Sequence, residues 1–286
     1  MISVIIPALN ESASVATTVQ SISQVLTGSG LTPFEIIVVD DGSADQTGPL
    51  AEKAGAKVIR HPHNVGYGRS LKDGITAATY EVIVITDADG TYPIADIPKL
   101  YTEYLNGYDM VVGSRTGSHY RESLFKLPMR RLLQFLVEWT TGRRIPDINS
   151  GLRIFHRSTT LQFFPHLCDT FSFTTSLTLA YMMTGKFVAY SPIDYFQRNG
   201  TSHVRLFRDS LRTLQYIIEA IVYYNPLKLF ALASLVCIGL SATFYVLALI
   251  FKLTSLFWLG TGTALISIIV FCIGLLAVLL KQIMDK

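Results

Sequence analysis

Residues 229–251 and 253–280 contain no charged side chain, and only Lys252 separates the two runs. A helix needs roughly 20 apolar residues to cross the hydrocarbon layer of a bilayer, so both runs are long enough and the second has room to tilt. Composition agrees. Of 286 residues, 50% are hydrophobic and 16% charged, whereas a soluble domain carries about 25% charged residues. Part of the chain is therefore expected in an apolar surrounding. With only Lys252, Thr254 and Ser255 at the turn, the runs read as a tight hairpin whose two ends lie on one side. Arg205, Arg208, Arg212 and Lys228 flank its entry, and Lys281 and Lys286 its exit. By the positive-inside rule this predicts an integral protein of the inner (plasma) or ER membrane, with its N-terminal domain and C-terminus cytoplasmic.

Just before the hairpin, Phe207, Leu211, Leu214, Ile218 and Ile221 share one helical stripe, while Arg205, Arg208 and Arg212 share another face. The pattern suits a helix lying in a membrane interface; a helix packed on the preceding domain is the other reading. The expected division is an N-terminal domain over 1–203, an amphipathic helix over 204–226 and a hairpin over 227–286, with spans at about 229–251 and 256–280.

The first 203 residues have a different pattern. Ile2–Ile6, Glu35–Val39, Lys57–Ile59, Val82–Thr86 and Met110–Val112 are short runs rich in Val and Ile, as buried parallel strands are. Between the first two, Val15, Val19, Ile22 and Leu26 recur at helical spacing, with Asn10 and Ser12 as capping candidates. The alternation predicts an α/β domain with a mostly parallel sheet. The first apolar run lacks the basic flank and length of a signal peptide. Cys168, Cys237 and Cys272 form no CxxC pair, so neither a disulfide framework nor a zinc site is expected. A net charge of +3 is too small to suggest nucleic-acid binding.

Polar clusters follow the strands: Asp40-Asp41-Gly42-Ser43 after the second, Asp87-Ala88-Asp89-Gly90 after the fourth, and Gly113-Ser114-Arg115 at the fifth. Ligands of open α/β sheets bind outside the carboxyl ends of the strands, so three clusters imply one site. Asp87 and Asp89, two residues apart past a buried strand, can both turn toward Mg2+ or Mn2+, whose shell substrate phosphates then complete. No GxGxxG follows a strand and no Walker lysine motif is present. Dinucleotide binding and phosphoryl transfer from ATP are therefore disfavoured.

Pro7–Glu11, Asp40–Ser43, Asn64-x-Gly66-x-Gly68 and Asp87–Pro93 together resemble family 2 glycosyltransferases of the GT-A fold. Gly113-Ser114-Arg115, Asp147-x-x-Ser150-Gly151-x-Arg153 and Arg198-x-Gly200-x-Ser202 resemble the branch with dolichol-phosphate mannose synthase and bacterial polyprenyl-phosphate glycosyltransferases. The resemblance implies that Pro7, Ala8, Glu11, Asp40 and Asp41, with Asp87, hold the nucleotide. It implies that Asp87 and Asp89 hold the metal, and that Arg115, Arg131, Arg198 and Ser202 face an acceptor phosphate. It also implies an inverting reaction and a homo-oligomer such as a tetramer. Two positions depart from the pattern: Thr91 stands where a further metal ligand is often Gln, and His203 where a basic residue often follows Ser202.

The expected activity is transfer of one sugar from a UDP- or GDP-sugar to a polyprenyl phosphate (undecaprenyl or dolichyl phosphate) at the bilayer surface. A lipid monophosphate arrives ionised and needs positioning, which arginines supply. The alternatives are a polysaccharide-synthase-type glycosyltransferase with a hydroxyl acceptor and a non-catalytic membrane subunit that keeps the fold. Asp147 has two readings: a general base for a hydroxyl acceptor, or a group that orders Arg153 or the Ser150-Gly151 turn. The latter suits a phosphate acceptor. For His61, His63 and His203 no partner is expected.

Overall fold

The computed structural model describes residues 1–116, 127–196 and 206–284, with 127–133, 206–213 and 284 described by backbone alone. Two compact units divide the chain, Met1–Ile217 and Ile218–Lys286.

In the first unit seven strands alternate with helices: β1 Ile2–Ala8, α1 Val15–Gly28, β2 Phe34–Asp40, α2 Thr47–Lys53, β3 Lys57–Arg60, α3 Tyr67–Ala77 and β4 Val82–Ile85. There follow α4 Ile97–Tyr104, β5 Met110–Thr116, α5 Leu127–Thr141, β6 Arg153–His156, α6 Arg157–Phe163, α7 Phe173–Met183 and β7 Val188–Asp194. Helix α8, Leu206–Tyr224, crosses the boundary between the units. All seven residues of β1 are buried, because helices cover both faces of the sheet and leave no polar face to expose. Helix α1 buries the predicted stripe of Val15, Val19, Ile22 and Leu26. On α3, a Cβ at Gly74 would collide with Ile5 and Val39, so this glycine lets the helix lie directly on the sheet.

Strand order is β3-β2-β1-β4-β6-β5-β7. The expectation of a mostly parallel sheet needs one amendment: β6 runs antiparallel to both of its neighbours, β4 and β5. The other pairs are parallel. Strands β6 and β7 are not among the runs read from the sequence, for physical reasons. The four-residue β6 opens on a charged side chain, Arg153, and β7 alternates buried and exposed positions. Pro192 is tolerated in β7 because that strand is at the edge of the sheet. The reversal of β6 determines where the site forms. Six strands deliver their carboxyl ends to one edge, and β6 brings its amino end, with the preceding loop 147–152, to the same edge.

In the second unit, α9 (Pro226–Phe251) and α10 (Thr254–Met284) pair along their length. Lys252 turns the chain in the left-handed region, φ 53°. Small polar groups meet on the seam: Ser234 and Ser267 hydroxyls 2.8 Å apart, and Ser241 Oγ donating to Gly260 O at 2.7 Å. Leu235, Ile238, Leu249, Ile269 and Leu276 are exposed. Both helices are long and apolar enough to cross a membrane by length and composition.

Candidate active site

Three loops are tied together where β1 and β2 end. Asn10, in the left-handed region with φ 55°, donates its amide to Ser43 Oγ at 2.9 Å and accepts from the Ala44 amide at 2.8 Å. A short polar side chain that bonds locally is what tolerates that conformation. Beside it the Glu11 amide donates to Thr47 Oγ1 at 2.8 Å, and the Asp41 amide donates to Ala8 O at 2.9 Å. Pro7, Ala8, Glu11, Asp40 and Asp41 therefore share one end of the sheet. Asp40 Oδ1 accepts from the Ser43 amide at 2.9 Å. Asp41 is buried and accepts from the amides of Val65 and Gly66, each at 2.9 Å, and faces His61 Nδ1 at 2.8 Å. The expectation of no partner for His61 is thus corrected. His61 follows β3, whose parallel pairing with β2 places it beside Asp41, 20 residues back.

Past β4, Asp87 Oδ1 accepts from the Tyr67 hydroxyl at 3.0 Å. Burial and the Asp87 charge hold that phenol well above its ordinary pKa, so it stays protonated and donates. A Cβ on Gly151 would stand 3.0 Å from both Asp87 carboxylate oxygens, so a side chain there would displace Asp87. Asp89 is buried, and its Oδ1 accepts from the Thr91 amide at 3.1 Å and the Thr91 hydroxyl at 2.6 Å. Thr91 thus braces the second aspartate from the position where the resemblance led us to look for a metal ligand.

Aromatic residues that sequence reasoning missed connect these carboxylates to the arginine. The Gly151 amide donates to Tyr92 Oη at 2.6 Å. Tyr92 packs edge-on against Tyr195, ring centroids 5.4 Å apart, and the Arg115 guanidinium lies 5.3 Å from the Tyr195 centroid. Their only sequence signal is position: each tyrosine stands just beyond a strand or a glycine turn.

Asp147 is 2% exposed and accepts four bonds. Arg115 supplies its amide (3.1 Å), Nε (2.7 Å) and Nη2 (2.9 Å), and Asn149 supplies its amide (3.1 Å). Burial by itself would raise this carboxyl's pKa, but the Arg115 hydrogen bonds and charge outweigh it and hold the group below the usual carboxylate value. Asp147 orders Arg115, not Arg153. Arg153 is fully buried and donates to Ile148 O (2.7 Å), Ser150 O (2.7 Å), Thr174 O (2.9 Å) and Thr178 Oγ1 (2.7 Å). It thereby fastens the 147–151 loop to α7. The side chain of Arg131, and Arg198, Ser202 and His203 altogether, lie outside the described residues.

Among the described residues no three His, Cys, Asp or Glu side chains converge as a metal-binding group. The two-carboxylate arrangement at 87 and 89 still fits a hard cation that takes its remaining oxygens from substrate phosphates and water.

Comparison with known proteins places this edge in context. A family model described as "Glycosyl transferase family 2" matches residues 3–165. The undecaprenyl-phosphate 4-deoxy-4-formamido-L-arabinose transferase of Yersinia enterocolitica is 30% identical, over 54% of this chain and 49% of that protein. The dolichyl-phosphate hexose transferase of Haloferax volcanii is 29% identical, over 70% of this chain and 84% of that protein. The first two curated relatives are spanned over 63% and 49% of their own lengths. Glucosyl-3-phosphoglycerate synthase of Mycobacterium tuberculosis, solved with Mn2+, uridine diphosphate and glucosyl-3-phosphoglycerate, shares the fold with TM-score 0.64 and 22% identity. The likeness covers 77% of this chain and 79% of that one.

The relationship to polyprenyl- and dolichyl-phosphate sugar transferases is shown at moderate identity, but the acceptor expected from it is corrected, as are the bilayer contact and membrane location expected from the apolar runs. The same fold serves an enzyme solved with phosphoglyceric acid, a small water-soluble molecule. The architecture therefore does not imply a polyprenyl-phosphate acceptor, a bilayer partner or an integral-membrane location. Length and apolarity of α9 and α10 are by themselves weak evidence for a membrane location.

Proposed function

This chain belongs to glycosyl transferase family 2, and from that membership we propose that it moves a glycosyl group from a nucleoside-diphosphate sugar to an acceptor hydroxyl. Uridine diphosphate in the solved enzyme of the same fold supports a UDP-sugar as the first donor to try. The observation that carries the reading is the pair Asp87 and Asp89 at the carboxyl end of a buried parallel strand. That edge also holds Pro7, Ala8, Glu11, Asp40 and Asp41, the side we assign to the nucleoside. Manganese and magnesium, both present in solved complexes of the same fold, suit the two carboxylates. When bound, such a cation compensates the charge that builds on the departing diphosphate.

In the transfer, the acceptor oxygen attacks the anomeric carbon, and the bond to the diphosphate breaks with its electron pair passing to the nucleotide. The hydroxyl proton must leave. A hydroxyl, unlike an ionised phosphate, therefore needs a base within reach. We assign that role to Asp147. Each of its oxygens already accepts two bonds, so one Arg115 bond must open first. Opening it also weakens the Arg115 hydrogen bonding that holds the carboxyl's pKa down, so Asp147 becomes a stronger base as it becomes available.

The test is release of nucleoside diphosphate by the full-length protein with UDP- and GDP-sugars, Mn2+ and soluble hydroxyl acceptors. Release that depends on the cation is expected; none with any donor sinks the reading. Asp147→Asn is expected to lower kcat by about 10²–10⁴, and Arg115→Ala by clearly less. Equal losses would reduce Asp147 to a positioning residue. The pH profile adds a sign. Wild-type activity falls only below the ordinary carboxylate range, because ionised Asp147 is required and its pKa is depressed. Arg115→Ala moves that acid limb to higher pH.

A further inference from the structure

We propose that Phe171 is a stacking platform for a sugar ring that carries the acceptor hydroxyl. The inference rests on the transfer reaction above and adds the class of acceptor, a carbohydrate. Phe171 stands two residues before α7 and is 47% exposed. Its ring stacks on Tyr67, centroids 5.8 Å apart and planes 20° from parallel. The Tyr67 hydroxyl in turn donates to Asp87 at 3.0 Å. One exposed aromatic ring is thus joined, through a single side chain, to the aspartate assigned to the donor diphosphate.

The ring is set before any substrate arrives. The Arg69 amide donates to Asp169 O at 3.0 Å. Lys72 Nζ donates to Leu167 O and to Asp169 Oδ1, both at 2.6 Å. A Cβ on Gly66 would stand 2.7 Å from Asp169 O, and one on Gly68 would collide with Cys168 O. Two glycines therefore let α3 press against the 167–171 segment. The Thr170 amide on Cys168 Sγ (3.2 Å) and the Cys168 amide on Ser176 Oγ (3.1 Å) secure the segment from its other side. A prearranged aromatic costs little ordering entropy on binding.

Position separates Phe171 from the exposed Phe187. Phe187, also exposed, accepts the amides of Asp109 and Met110 through its carbonyl, at the amino end of β5 and so at the opposite edge of the sheet. Phe171 stands at the edge where the carboxylates gather. A pyranose has a face of C–H bonds and a rim of hydroxyls. The electron-rich face of an aromatic ring attracts polarised C–H groups and sheds water on contact. Phosphoglyceric acid and glycerol offer no flat apolar face, and an anion is repelled by the ring quadrupole.

The experiment measures UDP release against concentration for methyl glucoside, galactoside and mannoside, for glycerol and for phosphoglyceric acid. It compares wild type with Phe171→Ala, Phe171→Trp and Phe187→Ala. At least one methyl glycoside is expected to accelerate release saturably. Phe171→Ala should raise its half-saturating concentration about tenfold, with the donor KM within about twofold. Phe171→Trp should restore it, and Phe187→Ala should match wild type. An unchanged half-saturation in Phe171→Ala overturns the inference, as does acceleration by glycerol or phosphoglyceric acid and by no sugar. Loss of cation-dependent UDP release under every condition, in wild type as well, overturns the transfer reaction itself and this inference with it.

Discussion

Replacing Asp89 by alanine is expected to lower cation-dependent release of nucleoside diphosphate by about three orders of magnitude or more. A bound cation contributes several kcal/mol of transition-state charge stabilisation, and each 1.4 kcal/mol is about tenfold in rate. Asp89 also has a structural task, because it accepts both the amide and the hydroxyl of Thr91. Alanine leaves those donors buried and unpaired, at about 1–3 kcal/mol. Asp89→Asn separates the two tasks. It keeps an oxygen for Thr91 but removes the charge that attracts the metal. Activity should fall in both variants, whereas the melting temperature should fall mainly in the alanine variant. Asp89→Asn with substantial turnover at saturating Mn2+ would refute the assignment of Asp89 to the metal.

Arg153→Leu should cost about 4 kcal/mol and lower the melting temperature of the first unit by roughly 8–16 °C. Burying a guanidinium is unfavourable in itself, and here burial lowers the group's pKa. Where both partners of a buried polar contact are replaced together, apolar substitutes are often neutral or better. Arg153 differs because its acceptors remain. Ile148 O and Ser150 O would lose this donor inside the protein, whereas Thr174 O keeps the Thr178 hydroxyl at 2.9 Å. An unpaired buried acceptor costs about 1–3 kcal/mol, so even with partial relaxation the loss outweighs the relief from removing the charge. Arg153→Lys keeps the charge but cannot reproduce the planar fork, and should fall between the two. Near-ultraviolet circular dichroism with thermal melting would decide it, and an Arg153→Leu protein that melts with wild type would rule this account out. The expected functional consequence is indirect: the loop that aims Gly151 at Asp87 and Asp147 at Arg115 loses its anchor.

Much of this was legible in the chain. The five Val- and Ile-rich runs correspond to β1 through β5; β1, β2, β4 and β5 are apolar because most of their positions are buried, while β3, at the sheet edge, sets Val58 and Ile59 between exposed Lys57 and Arg60. The stripe of α1 and the length and apolarity of α9 and α10 follow from spacing and hydropathy. The aspartates at 40, 41, 87 and 89 could be placed at one sheet edge from the positions of the strands before them. Family membership rests on the same blocks. Each of these features is local, because the signal lies within a dozen residues and depends on periodicity or composition.

Contacts between distant segments were decided only by the tertiary structure. β6 had to run against its neighbours before residues 147–151 could reach the edge where Asp87 stands, and a four-residue strand opening on a buried arginine has no periodic signature. The partner of Asp147 depended on which of several arginines came within 3 Å, and Arg115, 32 positions away, did so. Tyr67, Tyr92, Tyr195 and His61 entered the site through contacts between loops on different strands. Periodicity specifies which side of an element faces inward. Distances between elements are set by how the sheet is ordered and how closely glycines such as Gly68 and Gly74 let the layers approach, and that information exists only once the layers have packed.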